Sequence, residues 1–477
     1  DIPSLLLKLK DKAEPGRILK EYKDSEQLDK AYQEAKAVIE SDDPLEVIKD
    51  AVLGLGYGGD LKPEVITYLD ATSRLLAMRY GAMPVHLLLS GASSSGKSYT
   101  LSTVKKLLPD EAHHTVDAGS PRTIIYDDAE LEHRLLVFGE ADSLPAGEDN
   151  PAASAIRNLL QDHHLHYEVT VRDAVTGDYK VRKVSKPGPT VLITTSTRSL
   201  GYQFMTRLFT LELGDSKEQI RAALNVQASL ETKGPKSFDN GLIAFQKYLQ
   251  LKVPWQVRVS FAEDLAVAMD KSASAPRILR DFARLISLVK AVTIIRHHKR
   301  SIDNEGYLTA LPEEYETVRD LVNDMYVDST SGAGSGVRQL VDAVRVLDAE
   351  RTEGSRVTGT KLHKYLGISK MAAYRRAKKA LREGWIINRE LRKGYPADFT
   401  AGEPMPEIEG LPILDDKEGN AVTAGNTPHV TDFSFKNGGC NGVTPVTDGY
   451  TSPLRQSVSG EDPWDEFLRK VESKKGG

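Results

Sequence analysis

Residues 85–98 read Val85-His86-Leu87-Leu88-Leu89-Ser90-Gly91-Ala92-Ser93-Ser94-Ser95-Gly96-Lys97-Ser98, and this stretch decides the fold. An apolar run of strand length leads directly into the pattern G-x-x-x-x-G-K-S, and a segment of helical composition follows it. The two glycines let the chain curl until several backbone N–H groups point at one phosphate, and the helix start adds its positive dipole end. Strand, loop and helix together predict a nucleotide-binding site rather than an ordinary glycine- and serine-rich loop.

The residues of this loop have different expected roles. Lys97 is expected to reach the β- and γ-phosphates of ATP, and the Ser98 hydroxyl is expected to bind Mg²⁺. ATP and Mg²⁺ are therefore the predicted cofactors, although the pattern alone does not name the reaction. Tyr57, in a glycine-rich break before the loop, is a candidate for stacking on the base or for simple packing. The predicted nucleotide-binding residues are Gly91, Ser93, Ser94, Ser95, Gly96, Lys97, Ser98 and Tyr99.

Composition excludes several other classes of protein. The 477 residues suffice for two or three domains, and a net charge of −5 means that any nucleic-acid affinity comes from local patches. A single cysteine, Cys440, rules out an internal disulfide framework and fits a reducing compartment, so we expect a cytoplasmic location. No apolar run approaches the roughly 20 residues of a membrane span. Because the chain begins at Asp1, we expect a processed chain or a piece of a longer one.

A second apolar run ends in acidic residues, as expected for the other half of an ATPase site. Residues 135–142 read Leu-Leu-Val-Phe-Gly-Glu-Ala-Asp. Acids at the carboxyl end of a parallel strand, beside the phosphate loop, can polarise the attacking water and hold the metal. Glu140 is the predicted catalytic base and Asp142 a predicted metal-site residue, whereas Gly139 stands where a metal-side aspartate is usual. The alternative is a strand end with solvated acids.

Two further strands complete the predicted sheet. Residues 190–195 form an apolar strand that leads to Ser196, whose hydroxyl at the strand end can orient the lytic water. Arg207 precedes another apolar strand, where it can reach a neighbouring subunit's γ-phosphate or form a surface salt bridge. Strands near 85, 135, 190 and 208 alternate with helices, which predicts a parallel sheet in an α/β domain.

A β-hairpin is predicted between the acidic strand and the strand that leads to Ser196. Apolar and polar residues alternate over 167–172 and again over 179–182, on either side of a Thr-Gly-Asp turn. A basic hairpin in an ATPase domain suits contact with a phosphate backbone, although exposed, solvated charges are an equally good interpretation of its composition. The basic residues of the hairpin and its exit are Arg172, Lys180, Arg182, Lys183 and Lys186.

The C-terminal half is mostly helical in pattern. Arg277 lies in the first turn of a helix, against the dipole preference, which indicates an anionic partner such as ATP phosphate. Three helices and a strand–turn–strand follow a Ser/Gly-rich linker at 329–336, an arrangement typical of a winged helix. Residues 361–395 hold eleven Lys and Arg against two Asp and Glu, which favours DNA binding, although such domains also dock proteins. Predicted DNA contacts here are Arg375, Arg376 and Lys379.

These patterns predict an α/β protein of several parts. They are a helical linker or collar at 1–55, an α/β ATPase core at 56–215, a helical lid at 216–328, an α+β winged-helix domain at 337–400 and a disordered tail at 401–477.

Assembled in this order, the motifs resemble those of the AAA+ replicative helicases over roughly residues 45–395. The resemblance is to the helicase parts of phage and mobile-element primase–helicases and to the minichromosome maintenance helicases. Residues 91–98 are similar to their Walker A, and 138–142 to their Walker B except at Gly139. The hairpin at 165–186 falls in the place of the presensor-1 hairpin. By resemblance Ser196 is the sensor-1 residue, Arg207 the arginine finger and Arg277 the sensor-2 arginine acting on a neighbour's ATP.

The resemblance implies a ring, with hexamers expected, in which ATP sites lie between subunits and single-stranded DNA passes through the pore. It also implies a primase or another replication protein as a partner. The leading hypothesis is an ATP-driven DNA helicase. An AAA+ initiator or helicase loader, which uses ATP as a switch, is the main alternative. A DNA-binding scaffold that has lost hydrolysis is a third, favoured only by Gly139.

Overall fold

The structure is a computed structural model of the 477-residue chain. It describes residues 15–78, 83–91, 95–116, 123–140, 151–172, 178–196, 207–213, 217–234, 241–270, 278–331, 334–352, 354–390, 392, 395–405 and 410–414. The chain divides into two compact units, of which the first comprises Asp1–Arg389 and Asp398–Leu414 and the second Glu390–Ala397 and Asp415–Gly477. In the second unit, Arg392 pairs with Glu390 at 2.8 Å. All elements below belong to the first unit.

Three helices precede the phosphate loop: α1 (Pro15–Ile39), α2 (Pro44–Gly54) and α3 (Lys62–Thr72). Asp43 caps α2, because its carboxylate accepts a hydrogen bond from Leu45 N at 3.1 Å. The second half of α1 and the apolar face of α2 are buried in the same core as the sheet. The described part of the predicted linker at 1–55 is thus packed against the domain, and α3 is buried along almost its whole length.

The chain then alternates between strands and helices. The elements are β1 (Leu87–Ser90), α4 (Lys97–Lys105), β2 (His113–Val116), α5 (Thr123–Tyr126), β3 (Arg134–Phe138), α6 (Pro151–Asp162), β4 (His164–Arg172), β5 (Tyr179–Pro187), β6 (Thr190–Ser196) and β7 (Phe209–Glu212). Five of these strands form one parallel sheet in the order β2–β3–β6–β1–β7. The predicted parallel sheet is confirmed. It has an additional edge strand, β2, which the sequence did not reveal because it has only four residues, three of them polar.

Apolar residues cover both faces of this sheet. Leu87 and Leu89 of β1 belong to one buried cluster, whereas Leu88 belongs to the other, and β3 and β6 alternate in the same way. A parallel sheet buried on both faces reads as a continuous apolar run, which is why its central strands were evident in the sequence.

The predicted hairpin is present as the antiparallel pair β4 and β5, with Arg172 opposite Tyr179 and Glu168 opposite Lys183. Its turn, residues 173–177, lies outside the described residues. Cross-strand partners share a face of a hairpin. Tyr179 and Val181 therefore lie on the face of Arg172, and Val169 and Val171 lie on the other. Each face carries both apolar and basic side chains.

The region after the sheet is largely helical, as predicted. It contains α7 (Lys217–Lys233), α8 (Gly241–Leu251), β8 (Val257–Val259), α9 (Ala262–Asp270), α10 (Ile278–Ile295), β9 (Leu308–Ala310) and α11 (Pro312–Ser331). Helix α8 packs against α1, and β8 pairs in parallel with β9. The two three-residue strands were not predicted, because so short a run has no recognisable period.

The last described elements are α12 (Ser335–Ala349), α13 (Gly359–Leu366), α14 (Lys370–Arg382), β10 (Ile386–Asn388) and β11 (Phe399–Ala401). Because α11 extends to Ser331 and α12 begins at Ser335, the linker predicted at 329–336 is largely helical. Ser369 caps α14 as expected, accepting a hydrogen bond from Ala372 N at 3.1 Å. Strands β10 and β11 pair antiparallel. Most of the predicted disordered tail, residues 415–477, lies outside the described residues. Among the described helices, none is both long and apolar enough to span a membrane.

Candidate nucleotide-binding site

The phosphate loop connects β1 to α4 as the sequence predicts. A Cβ on Gly91 would lie 2.5 Å from Ser95 Oγ, so this position must be glycine for the loop to fold back on itself. Gly96 precedes α4 with a φ of 93°, a conformation that side chains disfavour. Three residues of the loop, Ala92, Ser93 and Ser94, lie outside the described residues.

Lys97 is buried and lies across the loop. Its Nζ donates a hydrogen bond to Gly91 O at 3.2 Å. Burial lowers the pKa of Lys97, the nearby positive charge of Arg375 lowers it further, and Glu140 opposes the shift. Charged groups from three separate parts of the chain therefore converge on the phosphate loop.

Two of the predicted catalytic residues, Ser196 and Glu140, lie at the same edge of the sheet as the loop. Strand β6 lies between β1 and β3, with Ser196 opposite Ser90 and Thr194 opposite Phe138. The Thr195 hydroxyl donates to Gly139 O at 2.5 Å, which ties the end of β6 to the end of β3. Glu140 follows directly and is exposed. Ser196 therefore lies between the loop and the strand that carries Glu140.

The Ser98 hydroxyl of α4 is a candidate ligand for a metal ion. Ser98 and Gly139 line one open cavity of about 490 Å³ between α4, β2 and the end of β3. Mg²⁺ in nucleotide sites takes most of its ligands from water and phosphate, so one protein hydroxyl suits it. The described residues contain no cluster of three His, Cys, Asp or Glu side chains arranged for a metal. Asp142, the other predicted metal-site residue, lies outside them.

A pair of tyrosines lies beside the loop. Tyr57 and Tyr99 stack with their ring centroids 6.0 Å apart, and the Tyr99 hydroxyl donates to Gly56 O at 3.0 Å. From α7, the Gln219 side chain donates to Gly58 O at 3.2 Å and accepts from Asp60 N at 3.1 Å. Tyr57 therefore packs on the residue that follows the phosphate loop, within a segment that α7 holds in place.

Glu64 is a site residue that the sequence did not reveal. It is buried on α3 and accepts a hydrogen bond from the Thr100 hydroxyl of α4 at 2.7 Å. Burial raises the pKa of Glu64 to about 8, so its carboxyl is largely protonated at neutral pH. In sequence it is indistinguishable from an acid in the first turn of an amphipathic helix.

A cavity of about 320 Å³ opens next to the phosphate loop, on the side of β7. The arginines predicted to contact DNA, Arg375 and Arg376, line this cavity together with Ser95. Lys379 is half-buried further along α14. The structure thus brings two predicted DNA-binding residues to the nucleotide site.

Arg207 lies at the amino ends of the parallel strands, opposite the ends that carry the phosphate loop, because it precedes the first residue of β7. Its Nη2 donates to Gln161 Oε1 of α6 at 2.9 Å. Burial lowers the pKa of Arg207, and the positive charges of Arg280 and Arg157 lower it further. Three arginines from three elements therefore lie close together, away from the phosphate loop of the same chain. Arg277 lies outside the described residues, one position before α10.

The hairpin side chains have two kinds of environment. Lys186 is an anchor, because its Nζ donates to Asp127 Oδ1 at 2.6 Å and to Ile124 O at 2.9 Å. Lys183 pairs with Glu168 at 2.9 Å, and the Arg182 guanidinium lies 5.8 Å from the Tyr126 ring centroid. Towards the turn, Arg172, Tyr179, Lys180 and Val181 are exposed, with 74% of Tyr179 accessible.

The sheet and the loop define an α/β P-loop domain that binds nucleotide, as in P-loop NTPases. A family described as the MTBMA_p00010 P-loop domain matches residues 29–242 of the chain. This range begins within α1, contains the whole central sheet and the hairpin, and ends at the start of α8. Helices α9 to α14 lie outside the match. No curated protein matches the chain.

Proposed function

We propose that this protein is an ATP-dependent, ring-forming DNA helicase of the AAA+ class that translocates on single-stranded DNA during replication. The observation that carries the proposal is the position of the basic hairpin. Between β3, which leads to Glu140, and β6, which ends at Ser196, the chain forms α6, β4 and β5. A rearrangement at the γ-phosphate can therefore pass along both strands into the hairpin.

The chemistry follows from the residues around the loop. Lys97, which donates to Gly91 O, would bind the β- and γ-phosphates of ATP, and the Ser98 hydroxyl would hold Mg²⁺, which would neutralise phosphate charge. Glu140 accepts the proton of the attacking water, and Ser196 orients that water from the neighbouring strand end. The Thr195 hydroxyl donates a hydrogen bond to Gly139 O, which fixes the backbone from which the Glu140 side chain extends.

The location of Arg207 supports ATP sites between subunits. An arginine at the amino ends of the strands is on the far side of the sheet from its own phosphate loop, whereas a ring neighbour can present it to the next site. By resemblance, Arg277 also acts on the ATP of a neighbouring subunit. A homo-oligomer, with a hexamer expected, follows from this division of the site between two chains.

The hairpin supplies the DNA contact in this proposal. Its exposed part combines guanidinium and ammonium groups with the Tyr179 ring, which suits phosphates and unstacked bases respectively. The C-terminal helices are proposed as a winged-helix domain, with Lys379 as its duplex contact. A primase partner and a cytoplasmic location remain parts of the same proposal.

An AAA+ initiator or helicase loader is the second candidate. The excess of basic residues over 361–395 favours it, because a duplex-binding domain serves an ATP-dependent switch as well as a motor. The two candidates differ in what the hairpin does. A switch has no need of an exposed basic hairpin between its two catalytic strands.

Strand displacement on forked DNA tests the proposal. With ATP, the wild type is expected to separate a fork that carries a 3′ or a 5′ tail, and the preferred tail gives the polarity. Lys97→Ala removes the cation that binds the phosphates and is expected to abolish displacement. ATP hydrolysis and duplex binding without displacement would contradict the helicase and favour the initiator or loader.

A hairpin variant tests the DNA contact separately. Replacing Lys180, Arg182 and Lys183 with Ala is expected to weaken single-stranded DNA binding and abolish DNA-stimulated ATP turnover, without changing oligomeric state. Each lost phosphate contact makes the slope of log affinity against log salt less negative by about 0.7, so the loss of three contacts makes it less negative by about 2.

The matched control removes three lysines from α1 and α2: Lys30 and Lys36, which are exposed, and Lys49, which is half-buried. It changes net charge equally, and we expect the salt slope to stay at the wild-type value. Unwinding by the hairpin variant at the wild-type rate would show that the hairpin does not hold the strand.

A further inference from the structure

Helix α14 presents two arginines to the nucleotide site of its own chain. Ser369 caps this helix, and its face with Ala372, Ala373 and Ala377 is buried. Arg375 and Arg376 lie on the cationic face of α14, but neither side chain is fully exposed to solvent. Both are half-buried and line the 320 Å³ cavity beside Ser95 of the phosphate loop.

One buried nitrogen of each guanidinium group has no hydrogen-bond partner in the described part of the chain. These nitrogens are Arg375 Nε and Arg376 Nη1. A buried donor without a partner is costly, and more so when it is charged. Such groups point to a ligand that supplies the acceptors.

The surrounding chain leaves room for these side chains. A Cβ on Gly336, at the start of α12, would lie 2.6 Å from Arg376 Cζ. Glycine at this position therefore lets the Arg376 guanidinium lie close to the start of α12.

Basic side chains from separate parts of the chain lie beside the phosphate loop. Lys97 lies close enough to Arg375 for that positive charge to lower the pKa of Lys97. The lining also contains Lys62 and three acids, Asp60, Glu212 and Asp324. None of the acids forms an ion pair with either arginine in the described part of the chain, so the acids leave both guanidinium groups available. Two guanidinium groups and one ammonium group beside a phosphate loop match a polyphosphate.

We propose that Arg375, supported by Arg376, binds the phosphates of the nucleotide held by the phosphate loop of the same chain, so that α14 closes the site in cis. The inference rests on the proposed binding of ATP at this loop. It assigns the two arginines to the nucleotide rather than to DNA, and it makes the C-terminal helices responsive to whether ATP is bound.

The test is nucleotide binding by the full chain, measured by titration with a fluorescent ATP analogue and with the matching ADP analogue. One charge-assisted hydrogen bond corresponds to roughly a ten- to hundredfold change in Kd. Arg375→Ala is expected to weaken ATP binding by this factor and ADP binding by less, because ADP lacks the γ-phosphate. Arg376→Ala is expected to act in the same direction with a smaller effect.

Arg382→Ala is the matched control, since Arg382 is on the same helix, exposed and paired with Glu383 at 2.9 Å. It is expected to leave both affinities unchanged. Arg375→Lys keeps the charge without the two-pronged geometry, and we expect an intermediate loss. This second variant serves if the alanine variant fails to fold, as judged by circular dichroism.

Two results would overturn the inference. One is wild-type ATP affinity in both Arg375→Ala and Arg375→Lys while Lys97→Ala loses it, which leaves the nucleotide site intact and removes α14 from it. The other is loss of nucleotide-free DNA binding by the arginine variants with unchanged ATP affinity, which assigns the helix to DNA. Undiminished ATP binding by Lys97→Ala would instead overturn the nucleotide site itself.

Discussion

Glu140→Gln is expected to lower ATP turnover by about 10²–10⁴-fold while leaving ATP affinity near the wild-type value. The amide has almost the same shape as the carboxylate but cannot accept the proton of the attacking water. Glu140 lies just beyond β3, where the Thr195 hydroxyl holds the preceding residue, so the substitution has little to disturb in the fold. Loss of turnover with retained binding is the pattern expected of a general base.

Phosphate release at saturating ATP, with and without single-stranded DNA, measures the first quantity, and titration with a fluorescent ATP analogue measures the second. Glu132→Gln is the matched control, because Glu132 is exposed near the other end of β3. We expect it to hydrolyse ATP at the wild-type rate. Unaltered turnover by Glu140→Gln would remove this residue from the mechanism and direct attention to Asp142.

Arg207→Ala is expected to lower turnover by about 10³–10⁵-fold, the effect of an arginine finger supplied in trans. The physical reason is the position of Arg207 at the amino ends of the strands, on the far edge of the sheet from its own phosphate loop. In a ring, this side chain completes the site of the neighbouring subunit. ATP binding to the loop of the same chain is expected to persist.

A mixing experiment separates this role from a structural one. Lys97→Ala lacks a working loop but keeps its finger, and Arg207→Ala has the opposite defect. Where the two variants assemble together, an intact loop meets an intact finger at some interfaces, so turnover should rise above that of either variant alone. Mixed assemblies confirmed by mass photometry that show no such rise would contradict an arginine acting between subunits.

Gln161→Ala is the control that tests whether Arg207 acts only through its contact with α6. Gln161 Oε1 accepts the hydrogen bond from Arg207 Nη2, so its loss leaves the guanidinium in place but less constrained. We expect a much smaller decrease in turnover than for Arg207→Ala. An equal decrease would mean that Arg207 acts through the packing of α6.

Local patterns in the sequence determined the phosphate loop, the central strands and the hairpin. Each of these elements is set by residues adjacent in the chain, such as Gly91 and Gly96 at the two ends of the loop or the alternation along β4. The predicted roles of Glu140 and Ser196 follow from their places at strand ends, because the carboxyl ends of parallel strands meet at one edge, and the role of Lys97 follows from the loop motif.

Only the tertiary structure decided which distant elements meet there. The insertion of β6 between β1 and β3 brings Ser196 next to the loop, and strand order depends on packing across the whole sheet rather than on local pattern. Glu64 became a site residue because α3 is buried against α4. Arg375 lies in the nucleotide cavity because of how α14 packs, although its sequence surroundings are those of a solvated or DNA-binding helix face. Composition determines that a helix carries cations, whereas long-range packing determines which part of the protein those cations face.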